Sequence, residues 1–151
     1  MGIDLAIIRA IHVLGVVVWI GGVTFVTTVI LPGSSSSAHQ RLQLFRRIKD
    51  RFAWQARAAV VAVGASGFWM VRQLRLWDRF ADPRLWWMHA MVGLWAVFAL
   101  MLFVAPLVAR QPQRLDGEPQ KILLRLTIVH GVLLVLSVLT LMGAVAGAHG
   151  L

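Results

Sequence analysis

The longest stretch without a charged side chain runs from Ala10 to Gln40, and it limits the possible folds more than any other feature. A helix needs about 20 mainly apolar residues to cross the hydrocarbon core of a bilayer, which is roughly 30 Å thick. This stretch is longer than that and closes on "LPGSSSS", where proline, glycine and serines stop a helix. A spanning helix from about 5 to 31 is expected. Its apolar part is too long for a secretory leader, and its basic residues follow it instead of preceding it, so it reads as a retained helix.

Three further segments fit the same length test. The second is the weakest: only Ala58 to Val71 is free of charge, so Arg57 and Arg72 must snorkel for a helix at about 53–74 to cross. The third, at about 85–109, and the fourth, at about 122–148, are long enough unaided. Of the 151 residues, 59% are hydrophobic and 14% charged, against roughly 25% charged in a soluble domain. The expected fold is therefore all-α, an integral membrane four-helix bundle forming a single transmembrane domain over 1–151.

The formal charge of +9 would raise the question of nucleic acid in a soluble protein. Here the cations sit between apolar blocks, as topogenic charge does, and no nucleic-acid partner is expected. Six Lys and Arg lie between helices one and two and four between helices three and four, against five on the opposite side, where Asp78 and Asp82 offset them in part. The positive-inside rule then places both termini outside and the two basic loops in the cytoplasm, facing anionic lipid. The first of these loops, "HQRLQLFRRIKDRFAWQAR", reads either as an interfacial amphipathic stretch with Leu42, Phe45 and Phe52 in the lipid, or as a solvated basic loop.

Ionisable residues inside spanning helices are rare, and each marks a candidate site. At about 1.5 Å per residue, His12 and His89 lie at similar depth near the outer face. His130 sits roughly 15 Å deeper on the same arithmetic, while His39 and His149 fall at the surface. Positions 12, 15, 19 and 22 follow helical spacing, so His12, Gly15, Trp19 and Gly22 share one stripe, and His89 and Gly93 repeat the pairing on helix three. Glycines beside a histidine leave room for a flat ligand or for a closely packed helix. Met70, Met88, Met91 and Met142 all fall in the outer half. Thioether and imidazole together suit Cu(I), although methionine also fills helix interfaces.

Several chemistries are excluded. The chain has no cysteine, hence no disulfide, thiolate site or cysteine nucleophile. All six acids lie in termini or loops, so a carboxylate proton relay has no parts, and no catalytic triad or phosphate loop is visible. Trp69, Trp77, Trp86 and Trp87 mark the outer interface and Trp54 the inner one, whereas Trp19 and Trp95 lie too deep for such a belt.

The pattern His12, Trp19, Gly21, Gly22, Phe25, Pro32 resembles the first helix of the CopD copper-resistance family. The likeness continues through "RFAWQARAAVVAVGASG" and "LLRLTIVHGVLLVLSVL". It implies a bacterial inner-membrane helical protein of copper uptake or homeostasis, with histidine and methionine ligands near the outer face. Larger CopD proteins carry additional helices, so a partner membrane subunit or a second copy is expected. The same signature is similar to HemJ, a small membrane protein of the haem pathway, which implies haem at His12. HemJ-like proteins also use a lysine in the bundle, where helix three here has His89. Two readings follow: Cu(I) held by His12, His89 and the outer methionines, or a b-type haem between His12 and His89 with His130, Trp19, Gly15, Gly22 and Gly93 around it. Copper ranks first, and a structural subunit without cofactor is the third reading.

Overall fold

The computed structural model describes residues 2–32, 37–104 and 118–148, and all regular structure among them is helical. Helix α1 spans Ile3–Phe25 and continues as a widened π turn over Val26–Ile30. Helix α2 spans Ala38–Gln73. Two short 3-10 turns, Leu76–Ala81 and Pro83–Leu85, lead to α3, Trp86–Ala99, which ends in a second π turn over Leu100–Val104. Helix α4 spans Pro119–Ala148. The expectations at 105–117 and at His149 lie outside the described residues.

The π turn of α1 has a local cause. The hydroxyls of Thr24, Thr27 and Thr28 donate to Ile20 O (2.8 Å), Val23 O (2.7 Å) and Thr24 O (2.8 Å). Such back-bonding competes with the helix ladder at successive turns and bends it.

Helix α2 starts about four turns before the expected position of 53. Ser37 Oγ accepts from the N–H of Gln40 (3.3 Å) while Gln40 Oε1 accepts from the N–H of Ser37 (3.0 Å). This reciprocal capping box satisfies two donors that a helix start leaves unpaired. From there Leu42, Phe45, Ile48, Phe52, Ala56, Ala59, Val63 and Ser66 recur at three- and four-residue intervals, the spacing of a helix seam. "HQRLQLFRRIKDRFAWQAR" is therefore helical and not a loop, and two of its apolar side chains turn into the bundle. Leu42 and Phe45 are buried against Ile30, Leu31 and Leu123. At its far end α2 stops at Leu74 and Arg75, whose φ of 50° turns the chain through the left-handed region.

Helices α1 and α2 form the closest pair and α3 packs mainly on α4, with α2 also touching α3 and α4. Two apolar clusters hold them together. The larger gathers Trp19, Ala59, Val60, Val63, Phe98 and Leu133 from all four helices. The smaller, at the end where α1 turns into α2, gathers Ile30, Leu31, Leu42, Phe45 and Leu123. Most other large apolar side chains face outward, among them Val13, Leu14, Val17, Phe68, Val92 and Leu139. An apolar exterior of that extent is what a membrane solvates and water does not. Three segments, Ile3–Ile30, Pro83–Val104 and Pro119–Ala148, are long and apolar enough to cross a bilayer. Helix α2 is not among them, because Arg41, Arg46, Arg47, Lys49, Asp50 and Arg51 crowd its first half and its charge-free stretch runs only from Ala58 to Val71.

Candidate functional site

The stripe of His12, Gly15, Trp19 and Gly22 faces α2. A Cβ added at Gly15 would lie 2.7 Å from Val63 Cγ2 and 3.3 Å from the carbonyl oxygen of Ala59, and one at Gly22 would meet the ring of Phe52. Gly15 thus lets the two helix backbones approach closely, and Gly22 makes room for the Phe52 ring. Trp19 is 6% exposed and meets Phe98 edge to face at a centroid distance of 4.7 Å. Its indole Nε1 has no hydrogen-bond partner.

His12 is half-buried at the end of this seam. Its Nδ1 lies 3.1 Å from Val63 O and 3.0 Å from Ser66 Oγ. The Ser66 hydroxyl is itself held on the α2 backbone, at Ala62 O and at Val63 O (3.2 Å). A hydroxyl has one proton, and with that proton on a backbone carbonyl Ser66 Oγ faces His12 as an acceptor. The Val63 carbonyl can only accept. Both partners therefore require the proton of a neutral His12 ring on Nδ1, which leaves the lone pair on Nε2. Gly67 makes the close approach possible, since an added Cβ there would stand 3.2 Å from His12 Cε1.

The other expected residues lie elsewhere. His89 is exposed in the first turn of α3, its ring edge to face with Phe80 at 5.5 Å. The contacts of His12 lead into α2 and that of His89 to Phe80. Gly93 faces open space. His130 Nδ1 lies 2.8 Å from Leu126 O of its own helix, and its ring meets Phe45 at 5.8 Å, at the opposite end of the α1–α2 seam from His12. Met88 is buried, Met70 half-buried, and Met91 (39%) and Met142 (63%) are exposed. Of these, Met70 continues the α2 seam one turn beyond Ser66.

Among the described residues no three of His, Asp and Glu come together as a metal-holding group. A hard divalent ion has no cage there, whereas a soft monovalent one needs only a few neutral donors such as imidazole and thioether. An open groove of about 460 Å³ runs along α1, lined by Val16, Ile20, Thr24, Thr28 and, from α4, Leu141. His12 does not line it. Outside the spanning segments, Asp82 accepts from the backbone N–H of Arg84 (2.9 Å) and from its guanidinium (3.3 Å). The backbone hydrogen bond, more than the nearby charge, holds its carboxyl below the usual range.

Ser66 and Gly67, the partners of His12, are not evident from composition. The signals that reveal them are the capping box at Ser37 and the seam spacing that follows it. Glycines elsewhere serve packing in the same way: Gly64 admits Trp95, whose Nε1 donates to Val60 O (2.8 Å), and Gly143 and Gly147 admit Trp86 and Trp87. Compared with known proteins, the chain matches no protein-family model, no curated protein and no solved structure.

Proposed function

We propose that this chain is a CopD-like, four-helix protein of the bacterial inner membrane, both termini outside, that handles Cu(I) through His12 near the outer face. One observation carries the reading: His12 donates Nδ1–H to the Val63 carbonyl with Ser66 Oγ beside it, which presents Nε2 as a free, oriented lone pair. Histidines that ligate metals are held in this manner, their second ring N–H on a carbonyl or comparable acceptor. Met70, one turn along the same seam, is the first candidate for a thioether partner. Met88, Met91, Met142 and His89 lie on elements that reach the same end, and they would serve passage of the ion more than a fixed cage. Orientation rests on the cation bias, with the first half of α2 as the basic cytoplasmic side. The chain's anionic-lipid contacts and any partner subunit belong to the same reading.

The test is an absorbance scan followed by competition for Cu(I) against a colorimetric chelator, on purified protein. The expected result is a colourless protein that takes up one Cu(I), loses it in His12→Ala and keeps it in His130→Ala. A red protein with a Soret band at about 400–430 nm that disappears in His12→Ala would replace copper by haem. A colourless protein that leaves all Cu(I) with the chelator would leave the structural subunit as the reading.

A further inference from the structure

The most unusual polar group outside the His12 site is Arg57. Contacts of Gly15 with Ala59 and of Gly22 with Phe52 put Arg57 between those two levels of α1, inside the Ile3–Ile30 span. Gly22 is eight residues from Ile30 and Arg57 lies five residues beyond Phe52, so the Arg57 backbone stands roughly 20 Å inside the end of that span. Side chains on a helix lean toward its N-terminus, which carries the guanidinium back toward the end where α2 begins. There its Nε donates to Leu102 O at 3.1 Å, within the π turn that ends α3.

This contact uses one of five N–H donors. The ion pairs among the described residues are Lys49–Asp50, Arg84–Asp82 and Lys121–Glu118, so no carboxylate answers Arg57. Its Nη1 and Nη2 groups have no protein partner there. A cation in a spanning segment faces a cavity, a partner or a headgroup. One turn nearer the surface on the same helix face is Trp54, 70% exposed, the side chain that belongs at headgroup level. Asp50, a further turn out, is already engaged by Lys49 at 3.8 Å.

We propose that Arg57, anchored on Leu102, and Trp54 form a binding site for the phosphate of an anionic phospholipid in the leaflet at the α2 start. A guanidinium fixed through Nε presents Nη1 and Nη2 at its free end as a planar fork, which matches two phosphate oxygens. Trp54 packs beside the glycerol and upper acyl region. The site is distinct from the diffuse attraction of Arg46, Arg47 and Arg51, which are exposed and which salt screens. It does not depend on what His12 binds.

The experiment uses the full chain in phosphatidylcholine vesicles with spin-labelled phosphatidylglycerol or phosphatidylcholine as probe, at low salt and at about 0.5 M salt, where exposed charges are screened. Wild type is expected to retain an about fivefold preference for phosphatidylglycerol at high salt. Arg57→Gln should abolish that preference while leaving the low-salt background, and Arg47→Gln should do the reverse. Arg57→Lys, which cannot hold Leu102 O and fork a phosphate at once, should lose most of the preference and serves if Arg57→Gln fails to fold. An equal salt-resistant preference in both Arg57 variants, or none in wild type, would overturn the proposal. Full displacement by inorganic phosphate would do so too, since the ligand would then be a free anion.

Discussion

At His12 the position of one proton decides what the side chain can do. Val63 O accepts and Ser66 Oγ is turned to accept, so Nε2 is the atom left for a ligand. Removing Ser66 Oγ leaves the carbonyl alone to orient the ring. Ser66→Ala should therefore weaken Cu(I) binding about tenfold, the lower end of the range for partners of ligating histidines, while costing only about 1 kcal/mol of stability. Chelator competition and thermal melting on the same preparation separate the two effects; unchanged affinity would mean that Ser66 does not orient the ligand. His12 was legible in the sequence because a histidine in an apolar run stands out. Its partner was not, since a serine on a helix ordinarily bonds its own backbone, as Ser137 does with Leu133 O at 2.7 Å. Rise per residue fixes height along a helix but not the direction in which neighbouring helices face each other, so matched depth alone does not make His12 and His89 a pair.

Among the elements, the α1–α2 pair is the tightest, and a glycine in its seam and one on α3 that faces open space make opposite predictions. Gly15→Ala sets a methyl 2.7 Å from Val63 Cγ2 and 3.3 Å from a backbone oxygen; the side chain can rotate but the backbone must move. A loss of about 1–3 kcal/mol is expected. Gly93→Ala meets nothing and should gain up to about 1 kcal/mol from helix propensity. Thermal melts of the two variants in the same detergent check the contrast, and similar melting temperatures would show that the seam does not limit stability. The sequence announced α1 and α4 clearly, because an uninterrupted apolar run needs no periodicity to be read. It hid the first half of α2, where Arg41, Arg46, Arg47, Lys49 and Arg51 mask buried positions set three and four residues apart. "SAHQ" was the readable cue, a capping box lying just past a proline and glycine that drew attention to the preceding helix's end.

For the whole molecule, three helices are apolar enough to cross a bilayer, and the proposed topology adds α2 to them. The chain has no cysteine, which makes the topology directly measurable. Gly2→Cys is expected to react with a membrane-impermeant maleimide from the outer face of intact cells, and Arg47→Cys only after permeabilisation. The reverse pattern would invert the orientation and put His12 at the cytoplasmic face. Composition is sufficient to indicate membrane residence, because that depends on counts, whereas the orientation rests on the cation bias that the labelling tests. Which helices adjoin depends on side-chain shapes, which counts do not carry.

The asymmetry of α2 bears on how the protein is made. Its cation-rich first half and limited charge-free stretch would partition poorly into lipid as an isolated segment, yet the surface it shares with α1 is continuous from Leu42 to Ser66. In synthesis α1 emerges first and can wait in the membrane alone. In the proposed topology α2 would then enter against it, as the second arm of a hairpin, with Gly15 and Gly22 serving as its template. An α1 variant that spoils this surface should then be lost during biogenesis.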